Sequence, residues 1–145
     1  MIKTIKDIKT VDVHILTWFD RINGNSYFAG KLTLNYSSDS QVTLLVPFQY
    51  GYGNHNEYII SEILFDYLKG IQEKLLPIKK ISPTMRIFNA STITINRLCR
   101  ENNICLRYTK TENKKRDLKA LENSFIDYEN ELNEEARALA EHETQ

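Results

Sequence analysis

The chain has 145 residues, 41% hydrophobic and 26% charged, with zero formal net charge; that is one domain's length, enough to bury a core without metals or disulfides. An aromatic share of 10% argues against disorder, and no apolar run approaches the roughly 20 residues that span a bilayer. The start, MIKTIKDIKTVDVHIL, has no signal-peptide apolar stretch before a small-residue cleavage site, so a cytoplasmic location is expected.

VDVHILTWF alternates Val11, Val13, Ile15, Thr17 and Phe19 against Asp12, His14, Leu16 and Trp18, which predicts a strand with one better-buried face. Asn23-Gly24 within RINGNSY predicts a type I′ hairpin turn, because that turn needs positive φ at both central residues. SYFAGKLTLNY then returns as a second strand and SSDS makes the next turn. QVTLLVPF is a third strand, ended by Pro47 or pushed to a sheet edge by it. GYGNHNEY leads into a helix over 57–75, capped by Asn54 or Asn56, with Ile60, Ile63, Leu64, Tyr67, Leu68, Ile71 and Leu75 on one apolar face. LPIKKISPTM reads as a connector, Ser91 caps a shorter helix through TITINRLCREN, and ICLRYTK is a fourth strand.

The end of the chain differs in kind. Leu118, Leu121, Phe125, Tyr128, Leu132 and Leu139 keep a seven-residue frame that only Glu135 breaks. Such a frame suits an assembly seam, most simply a homodimer, and equally a helix packed on its own domain. Residues 117–145 hold nine acids against Lys119 and Arg137, net −7, which leaves residues 1–116 at net +7. The expected fold is therefore α+β: an antiparallel β-meander of three to four strands packed by one or two helices, plus a long C-terminal helix. Residues 1–117 form the binding domain, and 118–145 form an acidic extension for assembly or partner docking.

Three clusters are candidates for binding. In WFDRINGNSY the aromatic residues are cross-strand core pairs, or else Trp18 and Tyr27 stand outside beside Arg21 as a stacking platform. PFQYGYGN is a Gly-shaped strand-to-helix corner with packed tyrosines, or else its glycines let the backbone approach a ligand between Tyr50 and Tyr52 while the loop feeds a helix start that favours an anion. Arg97, Arg100, Arg107, Lys110, Lys114, Lys115 and Arg116 surround Tyr108, a composition that suits phosphate; the acidic tail is the competing partner for these cations. Cys99 and Cys105 lack ligand spacing, and His14, His55 and His142 are scattered. No metal or other cofactor is therefore expected, and the thiols read as reduced and structural. The absence of GxSxG and HExxH patterns gives no start for catalysis, so an enzyme is not expected.

WFDRINGNSY, PFQYGYGN and RLCRENNICLRY followed by KKRDL, in this order, resemble a group of small bacteriophage proteins of unknown function. These carry FD-(R/K)-x-NGN-(T/S)-Y, a YGYG corner and a basic RKRDL-like end. The likeness covers roughly residues 11–118; Ser26 stands where Thr is commoner, and the acidic extension lies outside it. The resemblance implies a phage or prophage origin and transfers no catalytic residue. The leading expectation is a non-catalytic inhibitor of a bacterial defence system. Its partner would be a host defence protein such as a CRISPR effector, or a signalling nucleotide held as by the Thoeris anti-defence sponges. The alternative is a nucleic-acid-binding accessory protein, with Trp18, Tyr27, Tyr50 and Tyr52 stacking on bases.

Overall fold

The structure, a computed structural model, describes residues 1–72, 92–124, 134 and 137–138. Strand β1 (Thr10–Asp20) pairs antiparallel with β2 (Asn25–Leu34), from Val11 opposite Leu34 to Asp20 opposite Asn25. The turn between them is not the two-residue type I′ expected at Asn23-Gly24. Asp20 captures the backbone N–H groups of Ile22 (3.0 Å) and Asn23 (3.2 Å) on one oxygen and the Asn23 amide (2.8 Å) on the other. That winds residues 21–24 into one helical turn, closed by the Gly24 N–H on the Asp20 carbonyl at 2.7 Å. Within it only Gly24 is left-handed, at φ +71°, so Asn23 is spared the conformation a type I′ turn demands.

The Asn23 side chain foremost, with the two backbone N–H groups and the Lys115 charge, holds the Asp20 carboxyl below its ordinary range. The sign follows: a lowered folded-state pKa adds stability that is full above the unfolded value, about 4, and is lost as pH falls through the lowered one. In an NMR titration the Ile22 and Asn23 amide resonances should move with the Asp20 carboxyl, at a midpoint below about 4. A midpoint at or above that value contradicts the capping role.

Strand β3 (Val42–Tyr50) continues the meander on the other side of β2. Its register runs Leu34–Val42, Leu32–Leu44 and Gly30–Val46, then Phe28–Gln49 and Tyr27–Tyr50, so Ala29 alone faces both Pro47 and Phe48. This bulge admits Pro47 into an edge strand, since no ladder hydrogen bond is asked of it. The strand therefore passes through Pro47 instead of ending there. Strict alternation would put Phe48 and Tyr50 on the face of Leu44 and Val46. The extra residue turns both to the opposite face, beside Tyr27.

From β3 the chain crosses one face of the sheet as α1 (His55–Gln72). The helix buries Ile59, Ile60, Ile63, Leu64, Tyr67 and Leu68 against Val11, Val13 and Ile15 of β1 and Phe28, Leu32 and Leu34 of β2. Asn56 is not the cap but a buried residue of the first turn. The expected connector and Leu75 lie outside the described residues. Helix α2 (Ile95–Glu101) is capped by Thr94, whose hydroxyl accepts from the Arg97 N–H at 3.3 Å; Ser91, the expected cap, is also outside the described residues. Burial pushes the Cys99 thiol of α2 up to about 11, so it stays a protonated core group.

Strand β4 (Cys105–Glu112) then lies beside β1, giving the order β3-β2-β1-β4. It runs parallel to β1, from Thr10–Cys105 to Thr17–Glu112, so the sheet is mixed and the meander comprises only β1 to β3. The reason is the connection. A tight turn reverses a strand, whereas a crossover through helices re-enters the sheet from the same end.

Helix α3 (115–124) covers the other face of the sheet. Lys115, Leu118, Lys119 and Glu122 share one side of it by helical spacing. The Lys115 Nζ lies 5.5 Å from the Trp18 ring centre and the Lys119 Nζ 4.3 Å from that of Phe48. The Glu122 carboxylate accepts from the Phe48 N–H at 2.9 Å, and Leu118 between these contacts is fully buried. From β1 to β3 is two strand spacings, ~10 Å; from Lys115 to Glu122 a helix rises ~10 Å. The helix thus runs steeply across the strands and reaches the β3 edge. The domain boundary expected between residues 117 and 118 falls inside it. Leu121 is half-buried; Phe125, Tyr128, Leu132 and Leu139, the rest of the expected assembly seam, lie outside the described residues. Among the described residues no helix is long and apolar enough to cross a membrane.

Candidate functional site

The parallel strands β1 and β4 bring their carboxyl ends side by side, and the chain leaves them in different directions, β1 into the hairpin and β4 into α3. Sheets layered with helices hold ligands in crevices at such points. Here the crevice is a cleft of about 720 Å³. Its walls include Thr17 and Phe19 of β1, Arg21 and Ile22 of the hairpin, and Lys110 and Glu112 of β4 followed by Lys114. Gly53 and Asn56, at the start of α1, close it from the helical side.

The alternation of β4 decides which charges reach this cleft. Register places Lys110 beside Ile15 and Glu112 beside Thr17, on the same face as Leu106 and Tyr108. Arg107 and Thr109 face the opposite way, and the Arg107 Nε lies 3.5 Å from an Asp12 oxygen. A polar chain runs beside the cleft from half-buried Tyr108 through buried Asn56 to exposed Gly53 and Lys110. The Tyr108 hydroxyl donates to Asn56 Oδ1, and Asn56 Nδ2 donates to the Gly53 carbonyl at 3.2 Å. The Lys110 Nζ donates to the same carbonyl at 3.3 Å. Burial first, and then the Glu57 charge, raise the Tyr108 hydroxyl above its ordinary pKa, so it remains a donor.

An ammonium at a helix start opposes the usual preference of that end for negative charge. Lys110 is nevertheless anchored there, and its positive charge adds to that of the helix end. Arg21 and Lys114 bring two more cations to the same walls. Among the described residues the side chains of Arg21, Lys114 and Glu112 have no hydrogen-bond or ion-pair partner. Phe19 and Ile22 are 54% and 94% exposed at the mouth. Chemically, the cleft offers an anion three cations, a flat apolar group two exposed side chains and a donor the free Glu112 carboxylate, while the second carboxylate of its lining, Asp20, is taken up by the hairpin turn. No three His, Cys, Asp or Glu side chains among the described residues gather so as to hold a metal ion.

The residues singled out in the sequence divide between this cleft and other places. Arg21 and Lys114 line it, as do Trp18 and Tyr27. The latter two do not form an open platform: Trp18 stacks on Tyr27 at 5.4 Å and Tyr27 on Phe48 at 5.3 Å, with Lys115 and Lys119 of α3 over the ends of the row. Tyr50 and Tyr52 stand outside the cleft, edge-on to each other at 5.1 Å, and the Tyr52 hydroxyl donates to the Gly24 carbonyl at 3.2 Å. Gly51 between those rings and Gly53 just after them are what reach the cleft. A Cβ on Gly51 would come within 2.6 Å of the Phe28 ring, so this corner needs glycine for closeness to the core. Arg100 is exposed on α2 and Arg116 on α3, away from the cleft walls. In the sequence Lys110 stands only as one of a cluster, and Glu112 and Asn56 are not marked for the site; the alternation of ICLRYTKTE is the signal that separates Lys110 and Glu112 from Arg107. Comparison with protein-family models, with curated proteins and with solved structures found no match to the chain.

Proposed function

We propose that this chain is a non-catalytic binding protein of phage origin that works against a bacterial defence system by sequestering a signalling nucleotide in the cleft. The observation that carries the reading is the convergence of Lys110, Arg21 and Lys114 on one concave site beside the start of α1. Unpaired cations in a concave site focus positive potential and draw anionic ligands. Phe19 and Ile22 at the mouth supply the apolar surface that a base or sugar ring covers. The resemblance to small phage proteins supports the biological setting, and the lack of any catalytic motif supports binding without turnover. The nucleic-acid reading is weaker, because two of the four rings that would stack on bases, Trp18 and Tyr27, lie in the row under the lysines of α3, and Tyr50 and Tyr52 pack edge-on to each other.

Protein purified from bacteria with an active nucleotide-signalling defence, then heat-denatured, is expected to release a phosphorylated nucleotide detectable by mass spectrometry. The Lys110→Met protein is expected to release far less. Release of nothing, together with a gel shift of oligonucleotides that weakens steeply with salt, would move the function to nucleic-acid binding.

A further inference from the structure

Glu112 is out of place in a site built for phosphate alone. It stands two residues beyond Lys110 on the same face of β4, at the carboxyl end of the strand, and lines the same cleft. Two residues along a strand is ~7 Å. At that spacing a lysine and a glutamate can bend together into an ion pair. Lys110 instead donates to the Gly53 carbonyl, and Glu112 has no hydrogen-bond or ion-pair partner among the described residues. A free carboxylate raises the cost of placing phosphate nearby, unless the same ligand also brings hydrogen-bond donors to it.

We infer that Glu112 selects ribonucleotides, accepting hydrogen bonds from the ribose hydroxyls of a ligand whose phosphate lies against Lys110. The inference rests on the nucleotide reading of the cleft and adds the sugar class to it. In doubly wound dinucleotide-binding sheets an acidic side chain takes a ribose hydroxyl while the phosphate sits at a helix start, and this cleft sets the same two chemistries, a carboxylate and a phosphate-binding cation, side by side. The span from a 5′-phosphate to the 2′- and 3′-hydroxyls is of the same order as the distance between the two positions on β4. A bond from a neutral hydroxyl to a carboxylate is among the stronger kinds, so the 2′-hydroxyl carries real discrimination. Thr17, beside Glu112 in the sheet, does not compete for the carboxylate, because its hydroxyl donates to the Thr111 carbonyl at 3.1 Å.

The test is calorimetric titration of the full chain with the ribonucleoside diphosphates of adenine, guanine and cytosine and with their 2′-deoxy counterparts. The wild-type protein is expected to prefer the ribo form of whichever base binds best by about tenfold or more. In Glu112→Gln that preference should shrink to within about threefold, while affinity for the deoxy form holds or rises, since a negative charge has left the phosphate's surroundings. Glu112 is exposed and has no side-chain partner among the described residues, so the substitution removes no contact seen in the fold. Binding with no ribo preference, or a preference unchanged in Glu112→Gln, overturns the inference and leaves the nucleotide reading standing. Failure of every diphosphate to bind overturns both.

Discussion

Asn35→Ala is expected to lower the free energy of unfolding by about 3 kcal/mol or more, although a single small polar side chain is removed. Asn35 follows β2, is 5% exposed, and sits at φ +51°. Its Oδ1 accepts from the Lys9 N–H at 2.7 Å and the Thr10 N–H at 3.4 Å. Its Nδ2 donates to the Asp7 carbonyl at 2.9 Å and the Ser40 hydroxyl at 3.0 Å. One amide therefore ties the N-terminal arm, the start of β1 and the β2–β3 turn together. Alanine leaves these groups partly buried without partners and keeps a Cβ in left-handed backbone without the side-chain bonds that let asparagine sit there. Asn35→Gly should be less damaging than alanine by about 1 kcal/mol, because it loses the bonds without the strain. Urea unfolding of the two variants separates these effects; a loss below about 1 kcal/mol for alanine contradicts the clamp.

Leu118→Asp is expected to detach α3 from the sheet while the α1 layer stays folded. The two faces have separate contents: Leu118 is fully buried on the inward side of α3, whereas α1 covers Val11, Val13, Ile15 and Leu32 on the far side. A charge at the Leu118 position is not tolerable without undocking, and even Leu118→Ala should cost about 2–3 kcal/mol. The chain supplies its own reporter, since Trp18 is the only tryptophan and Lys115 of α3 lies over its ring. Its fluorescence should shift to the red in Leu118→Asp, with most of the helical and strand circular dichroism retained. Unchanged emission would mean that α3 does not cover this face.

The sequence showed the α+β class and the first three strands because Val11, Val13 and Ile15 alternate and Ile60, Ile63, Leu64 and Tyr67 recur at helical spacing. Both periods report burial on one face directly. What it hid were departures from period. Pro47-Phe48 shifts the parity of β3 by one residue, and only the pairing with Ala29 reveals it. The hairpin turn departs from its local signal for a related reason: Asn-Gly favours a two-residue turn, yet Asp20 three residues before Asn23 offers a competing set of hydrogen bonds that winds a longer loop. The direction of β4 was invisible because it depends on a crossover path. Leu118 was legible as the inward side of a helix, but what covers it was not, since its cover comes from strands far away in the chain. The candidate site shows the same limit. Its cations were visible as a cluster, while their division between two faces follows from the register of β4 on β1.

The most direct measurement of the central claim, that the cleft holds a nucleotide, is a calorimetric titration comparing wild type, Lys110→Met and Lys119→Met. Lys110 lines the cleft and Lys119 sits over Phe48 on the opposite face, so the pair separates a local site from the general effect of losing one positive charge. The expected result is nucleoside diphosphate binding by wild type and Lys119→Met, weakened about tenfold or more in Lys110→Met, since a charged contact to phosphate is worth at least ~1.4 kcal/mol. Equal loss in both variants, or equal binding by all three proteins, would contradict it.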